Sequence, residues 1–147
     1  MKGLFSVIIV IVLAVFGCAA AEPALVKFQP KSPDEAAIKE VLRVWLNGME
    51  NCDREAIRSC FTQNAKIMTS GRERHIVSLD EYINSGACQE KGEKIYFKVP
   101  EIKSINSDQA EVYIGVSIFS SKRDIEVDFN MLFIKEHGKW KIKTRTY

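Results

Sequence analysis

The feature that most constrains this fold is a stretch near the C-terminus that alternates apolar and polar residues on both sides of a turn signal. Apolar side chains occupy every second position of residues 125–133, and Trp140 and Ile142 continue the pattern after His137-Gly138. Strict alternation is typical of β-strands with one buried face, and a glycine between two such runs is typical of a hairpin. The segment therefore predicts an antiparallel sheet with one dry face.

The same alternation predicts which residues pair across the strands. A turn at residues 122–123 opposes Ile118 to Val127, Val116 to Phe129, and Ile114 to Met131. A turn at residues 137–138 opposes Phe133 to Ile142, Lys135 to Trp140, and Glu136 to Lys139. Both registers gather the apolar residues on one face, which a wrong pairing parity would not do. The opposite face is expected to meet solvent and to carry Glu126, Asp128, Asn130, Lys139, Lys141, Lys143 and Arg145.

Capping signals mark the helices that precede this sheet. "SPDE" at 32–35 and "SLDE" at 78–81 are capping boxes that start a long helix, reaching about Met49, and a short third helix. Asp53 caps a second helix over residues 54–61. Short strands are expected at 65–70 and 72–78, with Ile76 pointing inward, and Val99 continues the inward alternation of a strand that bends at Pro100. The sequence thus predicts an α+β domain with helices on the dry side of a bent antiparallel sheet.

The N-terminus reads as an export signal. Lys2 precedes thirteen residues that are apolar except for Ser6, a run too short to span a bilayer as a stable helix. We assign residues 1–17 to a signal peptide, residues 18–31 to a tether, and residues 32–147 to one folded domain.

Two processing routes compete at the end of the signal. Residues 15–18, Val-Phe-Gly-Cys, resemble a bacterial lipobox, in which Cys18 becomes the lipid-bearing N-terminal residue. Alternatively, Ala19-Ala20-Ala21 is a cleavage site that releases a soluble periplasmic or secreted protein beginning at Glu22. A cysteine placed directly after the apolar run favours the lipoprotein, held at a membrane of the bacterial cell envelope through Cys18.

The remaining cysteines and the charge distribution point to no metal or nucleic acid. Cys60 is expected to be a buried, free thiol, and Cys52 with Cys88, both at helix ends, is the disulfide pair to test. No CxxC spacing or histidine cluster indicates a metal site, and no cofactor is expected. The 21 basic and 19 acidic residues are dispersed along the chain, so no nucleic-acid-binding surface is predicted.

The order of elements resembles the nuclear transport factor 2-like superfamily, which includes SnoaL-like and ketosteroid-isomerase-like proteins. The local markers are "VWLNGMENCDREAIRSCF", "INSDQAEVYI" and the closing "GKWKI", and the resemblance covers residues 32–147. It implies a cone-shaped fold in which the bent sheet wraps three N-terminal helices and encloses a cavity. Cavity contents vary among members of this superfamily, so the resemblance does not supply a function.

The inward-facing positions contain little that suggests catalysis. None of the side chains expected on the inner face of the last two strands ionises. They are Ile125, Val127, Phe129, Met131, Phe133, Trp140, Ile142, Thr144 and Thr146. The predicted cavity lining is Trp45, Tyr82, Phe129, Met131 and Trp140, with the two tryptophans facing one another. The weak catalytic candidates are His75, Tyr82 and Asp80, for which a surface histidine, a buried tyrosine and a helix-start carboxylate are the simpler interpretations.

Arg72 and Arg74 have two interpretations as well: cations at the cavity mouth, or part of a solvated hairpin.

Three functions consequently remain open. The first is a non-catalytic module that binds a small apolar ligand or a protein partner. The second is an isomerase-, cyclase- or hydrolase-like enzyme that uses the same cavity. The third is a structural homodimerisation domain, pairing through a small apolar island in which Tyr113 and Leu132 are opposed and Ile134 lies beside them.

Overall fold

A bent sheet with helices against its concave face forms the domain in the computed structural model, which describes residues 22–69, 74–89, 93–119 and 124–147. The helices are α1 (Glu22–Lys27), α2 (Pro33–Asn51), α3 (Arg54–Ser59) and α4 (Leu79–Ser85). The strands are β1 (Phe61–Met68), β2 (Ile76–Ser78), β3 (Lys94–Phe97), β4 (Glu101–Ile105), β5 (Gln109–Phe119), β6 (Asp124–Glu136) and β7 (Lys139–Thr146). This is the expected α+β class.

The predicted capping residues start the helices. The Ser32 side chain accepts a hydrogen bond from the Glu35 amide at 3.1 Å, with Pro33 in the first helical turn of α2. The Ser78 hydroxyl accepts from the Glu81 amide at 3.2 Å and starts α4, whose stripe of Leu79, Tyr82 and Ile83 is buried as predicted. Helix α3 ends at Ser59, two residues earlier than expected, because Phe61 already belongs to β1.

The strands form a single sheet in the order β2-β1-β7-β6-β5-β3, with β4 pairing farther along β5. The β1–β7 contact is parallel and the other pairings are antiparallel. Strands β5 and β6, of 11 and 13 residues, are the longest in the sheet and are long enough to curve around the helices. The concave side carries the core, including Ile114, Phe133 and Ile142, each fully buried.

The register of the last hairpin is as predicted, whereas that of the preceding one differs by two residues. Phe133 pairs with Ile142 and Lys135 with Trp140, around a turn in which both His137 and Gly138 have positive φ. On β5 and β6, Val116 pairs with Val127, Ile114 with Phe129 and Val112 with Met131, which corrects the predicted partners. The predicted turn at residues 122–123 lies outside the described residues. A shift of two residues preserves the alternation, so the strands kept their inner and outer faces.

A β-bulge in β7 overturns one face assignment. Pairing with β6 passes from Phe133–Ile142 directly to Leu132–Thr144, so Lys143 is an extra residue without a partner. Beyond it the alternation is inverted, and Arg145 lies opposite the buried Met131. Arg145 was expected on the solvated face, but only 7% of it is exposed.

Two shorter predictions of orientation were also wrong. Ile76 is 59% exposed and its neighbour Val77 is buried, so β2 presents the opposite face to the one expected. The strand near Pro100 is divided into β3 and β4 by residues 98–100, and Val99 is 46% exposed where an inward side chain was predicted. Ile76 is the first residue of β2, and Val99 lies between β3 and β4, so strand alternation does not fix the direction of either side chain.

Part of the predicted tether packs against the domain. Residues 22–27 form α1, which contacts α2 and β3, and its Leu25 is only 4% exposed. The signal peptide and Cys18 lie outside the described residues, so both remain predictions. Among the residues that the structure describes, no helix is both long and apolar enough to cross a membrane.

A polar cluster at the start of α2 joins that helix to the last hairpin. The Asp34 carboxylate accepts hydrogen bonds from Lys135 Nζ at 2.7 Å and Trp140 Nε1 at 2.9 Å. The Lys135 ammonium also lies 4.8 Å from the Trp140 ring centroid. The hydrogen bond from Lys135, followed by that from Trp140, lowers the pKa of Asp34 below its ordinary 3.8.

We expect Asp34→Asn to lower the midpoint of thermal unfolding at pH 7, because an amide cannot form the ion pair with Lys135. A carboxylate whose pKa is lower in the folded state stabilises the protein above its unfolded pKa and loses that contribution as the pH falls. The difference between variant and wild type should therefore be present at neutral pH and shrink below pH 3.8. Thermal melts across this range measure it, and a difference that does not depend on pH would contradict the assignment.

Candidate functional site

A cavity of about 330 Å³ lies between the concave face of the sheet and the ends of α2 and α4. Its apolar wall is formed mainly by Met49, Ile95, Phe97, Val116, Ile118 and Phe129. Its polar groups come from Tyr82, Ser85, Gln89, Glu93, Arg145 and Tyr147. The cavity thus combines apolar side chains with several groups that can form hydrogen bonds.

The segment after α4 forms one wall and is held in two ways. A disulfide joins Cys52 at the end of α2 to Cys88 in the cavity lining, with the Cα atoms 4.9 Å apart. The backbone N–H of Gln89 donates a hydrogen bond to the backbone carbonyl of Met49, with an N–O distance of 3.1 Å. The disulfide is the pair put forward in the sequence analysis, and Cys60 is a free, buried thiol whose pKa burial raises to about 11.

Arg145 belongs to the cavity lining and lies among three aromatic rings. Its Cζ atom lies 4.6 Å from the ring centroid of Tyr82, 4.8 Å from that of Phe129 and 6.0 Å from that of Trp45. A guanidinium near aromatic faces gains cation–π attraction, which is stronger where water is excluded. The bulge at Lys143 is what aims this side chain at the three rings.

The hydrogen bonds of Arg145 are incomplete. Nη1 donates to Tyr82 Oη at 3.1 Å and Nη2 donates to the Met68 carbonyl at 3.3 Å, while the buried Nε has no acceptor. A guanidinium has five N–H donors, so three lack an acceptor among the described residues. Nor does any described carboxylate form an ion pair with Arg145.

The Tyr82 hydroxyl links Arg145 to the helices. It accepts from Arg145 and also from Trp45 Nε1 at 3.3 Å, and it donates to the Met49 sulfur at 3.5 Å. A thioether is a weak acceptor, so the hydroxyl proton has no strong partner in the described structure. The guanidinium and this hydroxyl therefore present donors to the same end of the cavity.

Tyr147 and Arg74 lie beside that end. The Tyr147 ring packs 5.0 Å from the Phe129 ring, and its buried hydroxyl has no hydrogen-bond partner among the residues that the structure describes. The exposed Arg74 guanidinium lies 5.5 Å from the Tyr147 ring centroid. Arg74 is thus exposed and lies near a residue of the cavity lining, which agrees with either sequence interpretation, and Arg72 lies outside the described residues.

The predicted site residues are only partly brought together. Trp45, Tyr82 and Phe129 line the cavity. Met131 is buried in the sheet and Trp140 is bonded to Asp34 at the hairpin, so these two are not cavity walls.

The three catalytic candidates do not lie together in one site. Only Tyr82 faces the cavity. His75 is exposed, with Nδ1 3.3 Å from the Thr69 hydroxyl, and Asp80 is exposed in an ion pair of 2.6 Å with Arg58. A helix-start carboxylate and a surface histidine are thus what the structure shows at these two positions.

Sequence reasoning missed two ionisable residues of the lining, Glu93 and Arg145. Arg145 was placed on the wrong face by assuming unbroken alternation through β7. Glu93 precedes β3 and carries no periodic signal of its own. The expectation that no inward residue of the last two strands ionises is therefore wrong, although an arginine does not exchange a proton near neutral pH.

Comparison with solved structures identifies the class of fold. Similar structures include a protein from Shewanella frigidimarina titled "putative ketosteroid isomerase", with 22% identity over 74% of this chain and 92% of the other, and a TM-score of 0.60. A nuclear transport factor 2-like protein of unknown function from Pseudomonas putida has 9% identity over 76% and 83% of the two chains, with a TM-score of 0.65. Another, from Silicibacter pomeroyi, has 19% identity over 80% and 96%, with a TM-score of 0.60.

These likenesses define a nuclear transport factor 2-like fold. Within that class, the chain belongs to the family described as "Putative lumazine-binding", which matches residues 33–147. Comparison with curated protein sequences finds no match.

We expect Tyr82→Phe to destabilise the domain by about 1–3 kcal/mol, because it leaves the buried Trp45 Nε1 and Arg145 Nη1 donors without their acceptor. The matched control is Tyr147→Phe, which removes a buried hydroxyl that has no partner. That control should change the free energy of unfolding by less than about 0.5 kcal/mol, or stabilise the protein. Urea unfolding of both variants measures the difference, and equal losses would contradict the hydrogen-bond assignment.

Proposed function

We propose that this protein binds a small, largely apolar organic molecule in the cavity and does not convert it. The observation that carries the proposal is the cavity of about 330 Å³, whose lining combines apolar and aromatic side chains with polar ones that include Arg145 and Tyr82. Ligand sites commonly have volumes of about 300–1,000 Å³ and combine apolar side chains with placed polar groups. The family description, which names lumazine as a ligand, supports a small-molecule role.

An enzymatic use of the same cavity is the second candidate. Glu93 and Tyr82 both belong to the lining, and a carboxylate base facing a hydrogen-bond donor across an apolar cavity is a known arrangement for proton transfer. Binding alone is the better supported function, because the other predicted candidates, His75 and Asp80, are exposed. Among the described lining residues, Glu93 is the one carboxylate.

Dimerisation through the outer face has weaker support. The predicted island assumed that Tyr113 faces Leu132, whereas Tyr113 pairs with Asn130 on β6. The Lys103 ammonium lies 5.3 Å from the Tyr113 ring centroid, and a hydrogen bond with Asp128 raises the pKa of the tyrosine. Charged neighbours on Tyr113 reduce the apolar surface that a second copy would cover.

N-phenyl-1-naphthylamine, a neutral dye that fluoresces when it leaves water, tests the binding proposal. We expect saturable binding of one dye per chain to the wild-type protein. Val116→Phe, which fills part of the cavity, should weaken binding by about tenfold or more, because the lost volume excludes the dye. The control is Val99→Phe at an exposed position outside the lining, which should bind like the wild type.

Two results would contradict this proposal. Equal binding by both variants would place the dye elsewhere on the protein. Turnover of a steroid ketone that is abolished by Glu93→Gln would establish the enzymatic function instead.

We also propose that the protein acts at the bacterial envelope, attached through a lipid on Cys18. The disulfide between Cys52 and Cys88 supports export, because such bonds persist in oxidising compartments. The full chain, expressed in bacteria, should partition into the detergent phase of a Triton X-114 extract, and Cys18→Ser should move it to the aqueous phase or block its maturation. A mature N-terminus at Glu22 in the wild-type protein would disprove lipid attachment.

A further inference from the structure

We infer that the ligand is an anion, specifically an apolar or aromatic molecule with a carboxylate that is received by Arg145 and Tyr82. The inference rests on the proposed function, since it names the chemical class of molecule that occupies the same cavity. It assigns Arg145 the role of a specificity-determining residue.

Arg145 carries a buried positive charge that no described carboxylate compensates. The side chain is only 7% exposed, and no described carboxylate pairs with it. A buried cation is costly unless an opposite charge and hydrogen bonds compensate for its lost hydration. The rings of Tyr82 and Phe129, 4.6 and 4.8 Å from Cζ, offset part of this cost by cation–π attraction. They do not supply the anionic acceptor that a guanidinium prefers.

Several donors of Arg145 and Tyr82 also lack a strong acceptor among the described residues. Three N–H groups of Arg145 have no acceptor in the described structure, and the Tyr82 proton points to the weakly accepting sulfur of Met49. A carboxylate has two oxygens with about four acceptor positions and can accept two parallel N–H bonds from a guanidinium. It fits this set of donors better than a neutral carbonyl, which has one oxygen and no charge.

The remaining charges at the cavity permit an anion. Glu93, the one acid among the described lining residues, does not pair with Arg145. Arg74 lies 5.5 Å from the ring centroid of Tyr147, which also lines the cavity, and adds positive charge near the same end. Ile95, Phe97 and Val116 supply an apolar part of the lining, which we assign to the apolar body of the ligand.

A purely structural role for Arg145 is the competing explanation. In that case its bonds to Tyr82 and to the Met68 carbonyl would serve only to hold β7 against α4 and β1. Such a role predicts lower stability without Arg145, but no difference between charged and neutral ligands. Ligand selectivity therefore separates the two explanations where stability does not.

The test uses 2-naphthoate and 2-naphthamide, which share a ring system and differ in charge at pH 7. Each displaces N-phenyl-1-naphthylamine from the full-length protein. We expect the wild type to bind the carboxylate at least about tenfold more tightly than the amide, the scale of a charge-assisted hydrogen bond. In Arg145→Met this preference should fall to within about twofold, while the affinity for the amide stays within about threefold of wild type.

Two further variants keep the test decisive. Arg145→Lys retains the charge without the forked geometry, so its preference for the carboxylate should be intermediate. Arg58→Met removes an exposed arginine outside the cavity and should keep the full preference. If Arg145→Met does not fold, as judged by circular dichroism, the wild-type ratio and the lysine variant still decide the question.

The outcomes separate this inference from the proposed function. If the dye and the amide bind to the wild type but the carboxylate binds no better, the ligand class is wrong and small-molecule binding stands. A preference that survives in Arg145→Met would likewise overturn the role of Arg145. If neither the dye nor the two naphthalene compounds bind to the wild type, the proposed function itself fails.

Discussion

The chemistry of the cavity depends on the β-bulge at Lys143. Because this residue has no partner on β6, the side chains beyond it exchange faces, and Arg145 enters the concave side of the sheet. Without the extra residue the inner face of β7 would present Thr144, and the arginine would meet solvent. Bulges commonly re-aim a side chain near a functional site, and here the re-aimed group is a cation surrounded by aromatic rings.

The wall opposite the sheet is held by constraints that are separate from the bulge. The disulfide between Cys52 and Cys88 and the hydrogen bond from the Gln89 amide to the Met49 carbonyl attach the segment after α4 to the end of α2. Trp45 and Tyr82 are thereby presented by two helices that are joined close to the cavity. A site held on both sides suits a binding protein, because less ordering is required when the ligand enters.

The fold does not choose between binding and catalysis. The similar proteins of this fold class include one described as a "putative ketosteroid isomerase" and two of unknown function. Their sequence identity to this chain is below 25%. Among the described lining residues, the polar groups include a guanidinium with unused donors, a hydroxyl aimed at a thioether, and one carboxylate that forms no ion pair with the guanidinium. The proposed recognition of an anion is based on this unpaired guanidinium, because a carboxylate can accept the donors that it leaves unused.

The sequence by itself determined the features that depend on local chemistry. Side-chain caps at Ser32 and Ser78, the tight turn at His137-Gly138 and the alternation of β6 are each decided within a few residues, and each was predicted correctly. Only the tertiary structure decided three features: the register of β5 on β6, which differs by two residues from the predicted one, the bulge at Lys143 and the burial of Arg145. A strand can alternate regularly in sequence and still contain a bulge, because pairing with the neighbouring strands decides whether an extra residue is left unpaired. The position of Arg145 in the cavity is therefore a property of the whole sheet.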